Sequence, residues 1–291
     1  MEDYELEAVK RVTTRPARGY RTLKVRSLTP VIGAEVSGLD LSKELTDDQL
    51  AEVKTAFTDH HVLVFRDQAI TPAQHKRLAT YFGEPQVVEP AEEQVGDPSV
   101  MAVQTTPAAT AVAGDGWHAD GTSSPEPSLG SMLYVRNIPE PGSGGDTCFA
   151  NMHLAYDMLS PKMKSMLDGL TAVHDDHYAF RGLTPPPNYV MKTSEHPVVV
   201  RHPDTDREVL FVNPAYTSHI PQLSKDESRA LLELLCSLVQ RRLMLTCRVR
   251  WEPDTLVFWD NRCVQHHALY DYYPHTRYGL RVAINGGPLK S

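Results

Sequence analysis

Apolar positions along this chain switch between a period near two and a period near 3.6, and each switch marks an element. Two β-like runs come first, around Leu23-Lys24-Val25 and from Val31 to Val36, with turn residues between them. From Asp47 to Phe57, Leu50, Val53, Ala56 and Phe57 recur at helical spacing, and Val62-Leu63-Val64-Phe65 reads as a short buried strand. Thr71 as N-cap, Pro72 in the first turn, Gln74 closing a capping box and Gly83 beyond the end predict a helix from Pro72 to Phe82. Short strands begin with Gly130 to Ile138, and helical spacing returns from His153 to Leu167 and after the capping box Ser224-x-x-Glu227. The end is strand-rich, over Met244 to Trp251, Thr255 to Trp259 and Tyr278 to Ile284.

Many strands with helices set to one side predict one mainly β domain with flanking helices, a β-sandwich or jelly roll. Residues 1–20 read as a flexible N-terminal extension to it. No G-x-G-x-x-G or P-loop opens a helix, which removes the usual basis for a dinucleotide or nucleotide site. Pro85 to Pro98, Thr105 to Gly116 and Arg181 to His196 are long enough to serve as lids or binding loops.

Composition narrows the partners. The 291 residues are 41% hydrophobic, an ordinary globular composition that excludes disorder. With 29 Lys+Arg against 37 Asp+Glu the net charge is −8, so no broad basic face is expected for nucleic acid. A small anionic substrate remains open, because one or two local arginines suffice for it. No apolar run approaches a membrane span, and Met1-Glu2-Asp3-Tyr4-Glu5 lacks the basic start of a signal peptide. Cys148, Cys236, Cys247 and Cys263 form no C-x-x-C pair, which predicts reduced thiols in a cytoplasmic protein.

Candidate chemistry begins with 13 histidines, among which H-x-D occurs at His118/Asp120, His174/Asp176 and His202/Asp204. Chance alone supplies about one or two such tripeptides in a chain this acidic, so the setting has to discriminate. His118 and Asp120 follow the small-residue loop Ala113-Gly114-Asp115-Gly116 and Trp117, and precede Gly121-Thr122-Ser123-Ser124. Residues i and i+2 of an extended segment point the same way, so both side chains can approach one ion. Two histidines and one carboxylate with an open face make the facial triad of non-heme Fe(II) sites. The run from Trp259 to His267 offers two candidates for the second histidine, His266 and His267. A zinc hydrolase could use the same three ligand types.

Several pieces occur together in order. They are Ile32-Gly33-Ala34-Glu35-Val36-x-Gly38-Leu39-Asp40-Leu41, Val64-Phe65-Arg66-Asp67-Gln68, Phe82-Gly83-Glu84, Trp117-His118-x-Asp120, Gly144-Gly145-Asp146-Thr147, and Trp259-Asp260-Asn261-Arg262-x-x-x-His266. In these the chain resembles the Fe(II)/2-oxoglutarate-dependent dioxygenases of the taurine and 2,4-dichlorophenoxyacetate (TauD/TfdA) family, from about Val31 to Lys290. The resemblance implies a double-stranded β-helix (a cupin-like jelly roll), with Fe(II) as metal and 2-oxoglutarate and O2 as co-substrates. It also implies hydroxylation of a substrate C–H with release of succinate and CO2, and a homo-oligomer, a dimer or tetramer.

Carried over by position, the resemblance assigns His118, Asp120 and His266 to iron and leaves His267 as a packed imidazole. Asp120 as a carboxylate ligand argues against halogenation, which needs that position for chloride. Thr147 and Arg277 match the pair that holds the distal carboxylate of 2-oxoglutarate, a role suited to a permanently charged, bidentate donor. Trp259 matches a residue lining the co-substrate end, which core packing would also explain. Arg281 matches the contact to an anionic substrate head; four residues from Arg277, it lies on the same face of a strand. Phe180 matches an aromatic closing over the substrate, and Tyr216 is a further pocket residue. Taurine-oxidising members carry a histidine where this chain has Val88, which points to a carboxylate, sulfonate or sulfate ester other than taurine. A non-catalytic 2-oxoglutarate sensor would carry all the same motifs.

Overall fold

The computed structural model describes residues 1–16, 18–87, 95–109, 114–138, 144–181, 185 and 189–290. Its first element is a docked helix. Asp3–Thr13 (α1) turns Glu5, Ala8 and Val12 inward on one stripe, and Glu5 pairs with Arg242. The extension expected over residues 1–20 is thus corrected at residues 3–13. Two apolar residues and one ion-paired carboxylate at i, i+3 and i+7 are enough to seat a short helix on a ready core.

Lys24–Ser27 (β1) and Ala34–Ser37 (β2) pair antiparallel. Asp47–His60 (α2) starts at the box formed by Thr46 and Gln49 and stops where His61 takes φ 63°. Val62–Phe65 (β3) then runs parallel to β2. Pro72–Thr80 (α3) carries the expected Thr71/Gln74 box. Met101–Thr105 (β4), Gly130–Asn137 (β5) and Thr147–Asn151 (β6) follow.

The helical stretch expected from His153 to Leu167 is two helices, Met152–Asp157 (α4) and Pro161–Leu167 (α5). Ser160 caps the second, and Pro161, which cannot continue a helix, starts it. Thr171–Asp175 (β7), Asp176–Ala179 (α6), Thr193–Pro197 (β8), Val199–Arg201 (β9), Glu208–Leu210 (β10) and Thr217–His219 (β11) come next. The loop read from Arg181 to His196 therefore ends inside β8. Lys225–Cys236 (α7) begins at the Ser224/Glu227 box and Leu238–Arg241 (α8) follows. The chain closes with Thr246–Val249 (β12), Thr255–Asp260 (β13), Val264–Ala268 (β14) and Arg277–Ile284 (β15). Met244 and Leu245, expected in a strand, lie instead in a short 3-10 turn.

The result is a mainly β fold with flanking helices. One sheet has the order β1-β2-β3-β13-β5-β15-β4, and a second has the order β12-β6-β14. Alternation along the larger sheet sorts its side chains into two cores. Leu63, Phe65, Met132, Tyr134, Leu256, Phe258, Leu280, Val282 and Ile284 join Val53, Phe57 and Leu78 of α2 and α3. Val62, Val64, Leu133, Val135, Val257 and Trp259 join Phe149, Cys247, Val249 and Val264 of the smaller sheet. The odd-numbered residues of β15, Arg277 and Arg281 among them, therefore face the space between the sheets. Gly279 between them is needed for packing, since a Cβ there would lie 2.8 Å from the Tyr134 carbonyl oxygen. No helix of the described residues is long and apolar enough to cross a membrane.

Candidate active site

His266 sits on β14, whose inward positions are Val264, His266 and Ala268, register-paired with Asn151, Phe149 and Thr147 of β6. The backbone beside it is met by the segment carrying His118. The His118 N–H donates to the His266 carbonyl at 3.0 Å and the His266 N–H to the His118 carbonyl at 2.7 Å. This bridge sets the two imidazoles 4.0 Å apart, centroid to centroid. Asp120, two residues on, places Oδ1 3.8 Å from His118 Nε2 and 3.9 Å from His266 Nε2. One ligand atom from each of the three lies within 4.8 Å of the others, and all three residues are buried.

The surroundings orient these atoms. His118 Nδ1 lies 2.9 Å from the Gly116 carbonyl, to which its N–H donates, leaving the Nε2 lone pair toward Asp120. Asp120 Oδ2 accepts from Ser131 Oγ at 2.7 Å and from Asn261 Nδ2 at 3.3 Å. Asn261 Oδ1 in turn accepts the Trp259 indole N–H at 2.9 Å and the Asp120 backbone N–H at 3.2 Å. One carboxylate oxygen is therefore tied back and the other faces both histidines. Burial works against ionising Asp120, but Arg281, donating to Oδ1 at 3.2 Å, and the Ser131 hydroxyl outweigh it. Its carboxyl is held well below the ordinary carboxylate range. Burial pushes His118 and His266 down, so both imidazoles are neutral with lone pairs to offer.

His267 points the other way, as strand alternation requires. Its Nε2 lies 3.2 Å from Asp115 and its ring stands at 90° to Trp117. The two remaining H-x-D pairs serve elsewhere. Asp176 accepts from Ser123 and, at 2.9 Å, from the Tyr189 hydroxyl. His202 Nε2 lies 3.0 Å from Asp260, while Asp204 pairs with Arg262.

A second feature lies between the sheets. Arg277 is 6% exposed, its guanidinium carbon is 5.0 Å from the Trp251 ring centre, and its Nη2 is buried with no partner among the described residues. Burial pushes its pKa down, with Tyr272 and Asp146 acting the other way. The Tyr272 hydroxyl is also buried, with no hydrogen-bond partner among the described residues. Thr147 Oγ1 accepts the Trp251 indole N–H at 3.0 Å, which leaves its own O–H to donate. Thr147 follows the turn at Gly144 and Gly145, with φ of 95° and 82°, where a Cβ on Gly144 would collide with Asp271. Thr147 at the head of β6, Tyr272 just ahead of β15 and Arg277 on β15 thus offer three buried donors in one neighbourhood, two of them joined through Trp251, a set that suits a carboxylate.

Trp259 packs 4.8 Å from His266 and 5.6 Å from Phe149 while its N–H holds Asn261. Tyr216 has its ring 6.5 Å from that of His118, and burial, then the charge of Asp120, push its hydroxyl pKa up. Arg281 is in the cluster, but one of its donors is spent on Asp120. Phe180 packs on Tyr189 at 5.0 Å, and among the described residues it makes no ring contact with the three clustered residues. Val88 lies outside the described residues. Reading the sequence alone overlooked Ser131, Trp251 and Tyr272, and gave Asn261 no role of its own. Only Asn261 carried a signal, its place two residues past Trp259 in the quoted motif.

Comparison with known proteins agrees with this geometry. Residues 24–283 match the family described as "Taurine catabolism dioxygenase TauD, TfdA family". An alkylsulfatase of Acinetobacter baylyi is 31% identical over 277 residues, covering 91% of this chain and 85% of that protein. The crystal structure of a taurine dioxygenase from Burkholderia xenovorans superposes with a TM-score of 0.80 at 34% identity, over 92% of this chain and 94% of that one. The structure of AAD-2 in complex with Mn(II) and N-oxalylglycine gives a TM-score of 0.79 at 27% identity, over 93% and 100% of the two chains.

Proposed function

Because this chain belongs to the TauD/TfdA family of 2-oxoglutarate-dependent dioxygenases, we propose that His118, Asp120 and His266 hold Fe(II) and that Thr147 and Arg277 seat 2-oxoglutarate beside it. The enzyme is an oxidoreductase of the 2-oxoglutarate-dependent dioxygenase type, and its relatives act on anionic substrates such as sulfate esters and aryloxyalkanoates. The two facing sheets read as the layers of a double-stranded β-helix. The observation that carries the proposal is the grouping of two imidazoles and one carboxylate, their ligand atoms all within 4.8 Å. That donor set suits non-heme iron and leaves one side free for other ligands. When bound, the metal couples oxidative decarboxylation of 2-oxoglutarate to oxidation of a substrate C–H.

The chain's own residues then divide the remaining work. Ser131 and Asn261 fix Asp120 so that one oxygen is presented and the other restrained. Arg277 and Thr147 take the distal carboxylate of 2-oxoglutarate in the buried pocket, which sets the direction in which the keto acid enters. The charge-assisted contact costs little reorganisation, because Trp251 already stacks on the guanidinium and holds the threonine. Arg281 supplies the anchor for an anionic substrate head through the donors not spent on Asp120, with Tyr216 and Phe180 as walls. Holding the head at Arg281 brings a neighbouring C–H to the metal side of the cavity. Valine in place of histidine at position 88 favours a sulfate ester, carboxylate or larger sulfonate over taurine.

Succinate release tests this reading. With Fe(II), 2-oxoglutarate and O2, a panel of alkyl sulfates, sulfonates and aryloxyalkanoates should contain members that raise succinate formation well above the rate without substrate. A chain that binds 2-oxoglutarate but forms no succinate with any of them would be a sensor and not this enzyme.

A further inference from the structure

Behind the candidate active site lies a second buried group of ligand-type side chains. His61 leaves α2 in a left-handed turn, His153 sits on α4, and Cys263 lies in the turn between β13 and β14. One ligand atom from each lies within 4.8 Å of the others, and none of the three is more than 1% exposed. His202 and Asp260 adjoin them, sharing Cys263 in a second such group.

The protons in this group are arranged in a particular way. His153 Nδ1 lies 2.8 Å from the Glu208 carbonyl, to which its N–H donates, so the lone pair is on Nε2. Among the described residues that Nε2 is buried without a partner, and so are both ring nitrogens of His61. An imidazole whose far nitrogen donates to a backbone carbonyl while the near one has no donor is oriented as metal-ligating histidines are. Among the described residues His75 and His174, also buried, likewise lack partners on both ring nitrogens. Neither belongs to a group of three ligand atoms among the described residues, so an unpartnered ring alone does not produce the arrangement.

We propose that His61, His153 and Cys263 form a site with three protein ligands for a thiophilic divalent cation, Zn²⁺ by donor type, separate from the His118/Asp120/His266 group. Two imidazoles and a thiolate are zinc's preferred donors, and a tetrahedral site spaces them about 3.3–3.8 Å apart, a modest contraction of the present cluster. Binding exchanges the Cys263 S–H for a sulfur–metal bond and releases that proton to solvent. The site would fasten α2 and α4 to the turn holding Asn261, five residues ahead of His266, and so stiffen the back of the catalytic centre.

Cobalt(II) separates the two sites, because the His118/Asp120/His266 group contains no sulfur. Metal-free full-length chain titrated with Co²⁺ should develop a thiolate-to-cobalt charge-transfer band in the near ultraviolet, complete by two equivalents per chain because the His118/Asp120/His266 group takes the other ion. Cys263→Ser and His153→Gln should each abolish the band. The His118→Ala/His266→Ala double variant should keep it, and should retain one equivalent of Zn²⁺ by elemental analysis after gel filtration. Should that double variant not fold, the wild-type titration decides alone. No thiolate band in folded wild-type chain, or a band that survives Cys263→Ser, would overturn the site without touching the iron assignment.

Discussion

The two arginines of β15 share a face but differ in what surrounds them, and that difference separates their expected effects. Arg277 is enclosed, stacked on Trp251, with a buried Nη2 that no described residue satisfies. Arg277→Ala should weaken 2-oxoglutarate binding by about 2–5 kcal/mol, since the incoming carboxylate loses its charged partner in a buried pocket. Titration calorimetry on the iron-free protein or initial-rate kinetics would measure it, and unchanged affinity would refute the proposed seat. Arg281 is partly exposed and already donates to Asp120. Arg281→Met should lower the affinity for the prime substrate at least tenfold, about 1.4 kcal/mol, and leave 2-oxoglutarate affinity nearly unchanged. Decarboxylation should also become partly uncoupled from substrate oxidation. A neutral substrate handled equally well by wild type and variant would contradict the anionic anchor.

At the scale of elements, α1 offers the sharpest test, because its sequence suggested a loose extension. Ala8 is fully buried on its inner stripe. Ala8→Leu should therefore cost about 1–3 kcal/mol through overpacking, read from urea melts, whereas an undocked segment would be indifferent. Elements with strong local signals were legible beforehand. The boxes at Thr71/Gln74 and Ser224/Glu227 start helices as expected, because a cap depends on residues three apart. The break at Ser160-Pro161 was also written locally, but helical spacing on both sides concealed it. For α1 the deciding partner is Arg242, more than two hundred residues away. The same division applies to the site. His118, Asp120 and His266 belong to recognisable patterns, while Ser131, Trp251 and Tyr272 matter only because the tertiary fold carries them to Asp120, Thr147 and Arg277.

Across the whole molecule, buried histidines link stability to pH. His75 and His174 are fully buried, and burial pushes each down to about 3. A histidine kept neutral in the folded state binds fewer protons than in the unfolded chain, so stability is full above pH ~6.5 and falls as pH drops toward 3. At pH 5 each should cost about 2 kcal/mol relative to neutral pH, and urea melts of metal-free protein at pH 7.5 and 5 should show the difference. Stability that stays level between those values would show that these rings find protons or partners by another route. The central claim is that one constellation, His118, Asp120 and His266 with Thr147 and Arg277 behind them, brings iron and 2-oxoglutarate together. Anaerobic addition of Fe(II) and then 2-oxoglutarate tests it most directly, through the visible charge-transfer band of the keto acid chelated to iron. The wild-type chain should develop the band at one equivalent of each, and Asp120→Ala should not; a wild-type chain without the band, or an Asp120→Ala chain that keeps it in full, would contradict the assignment.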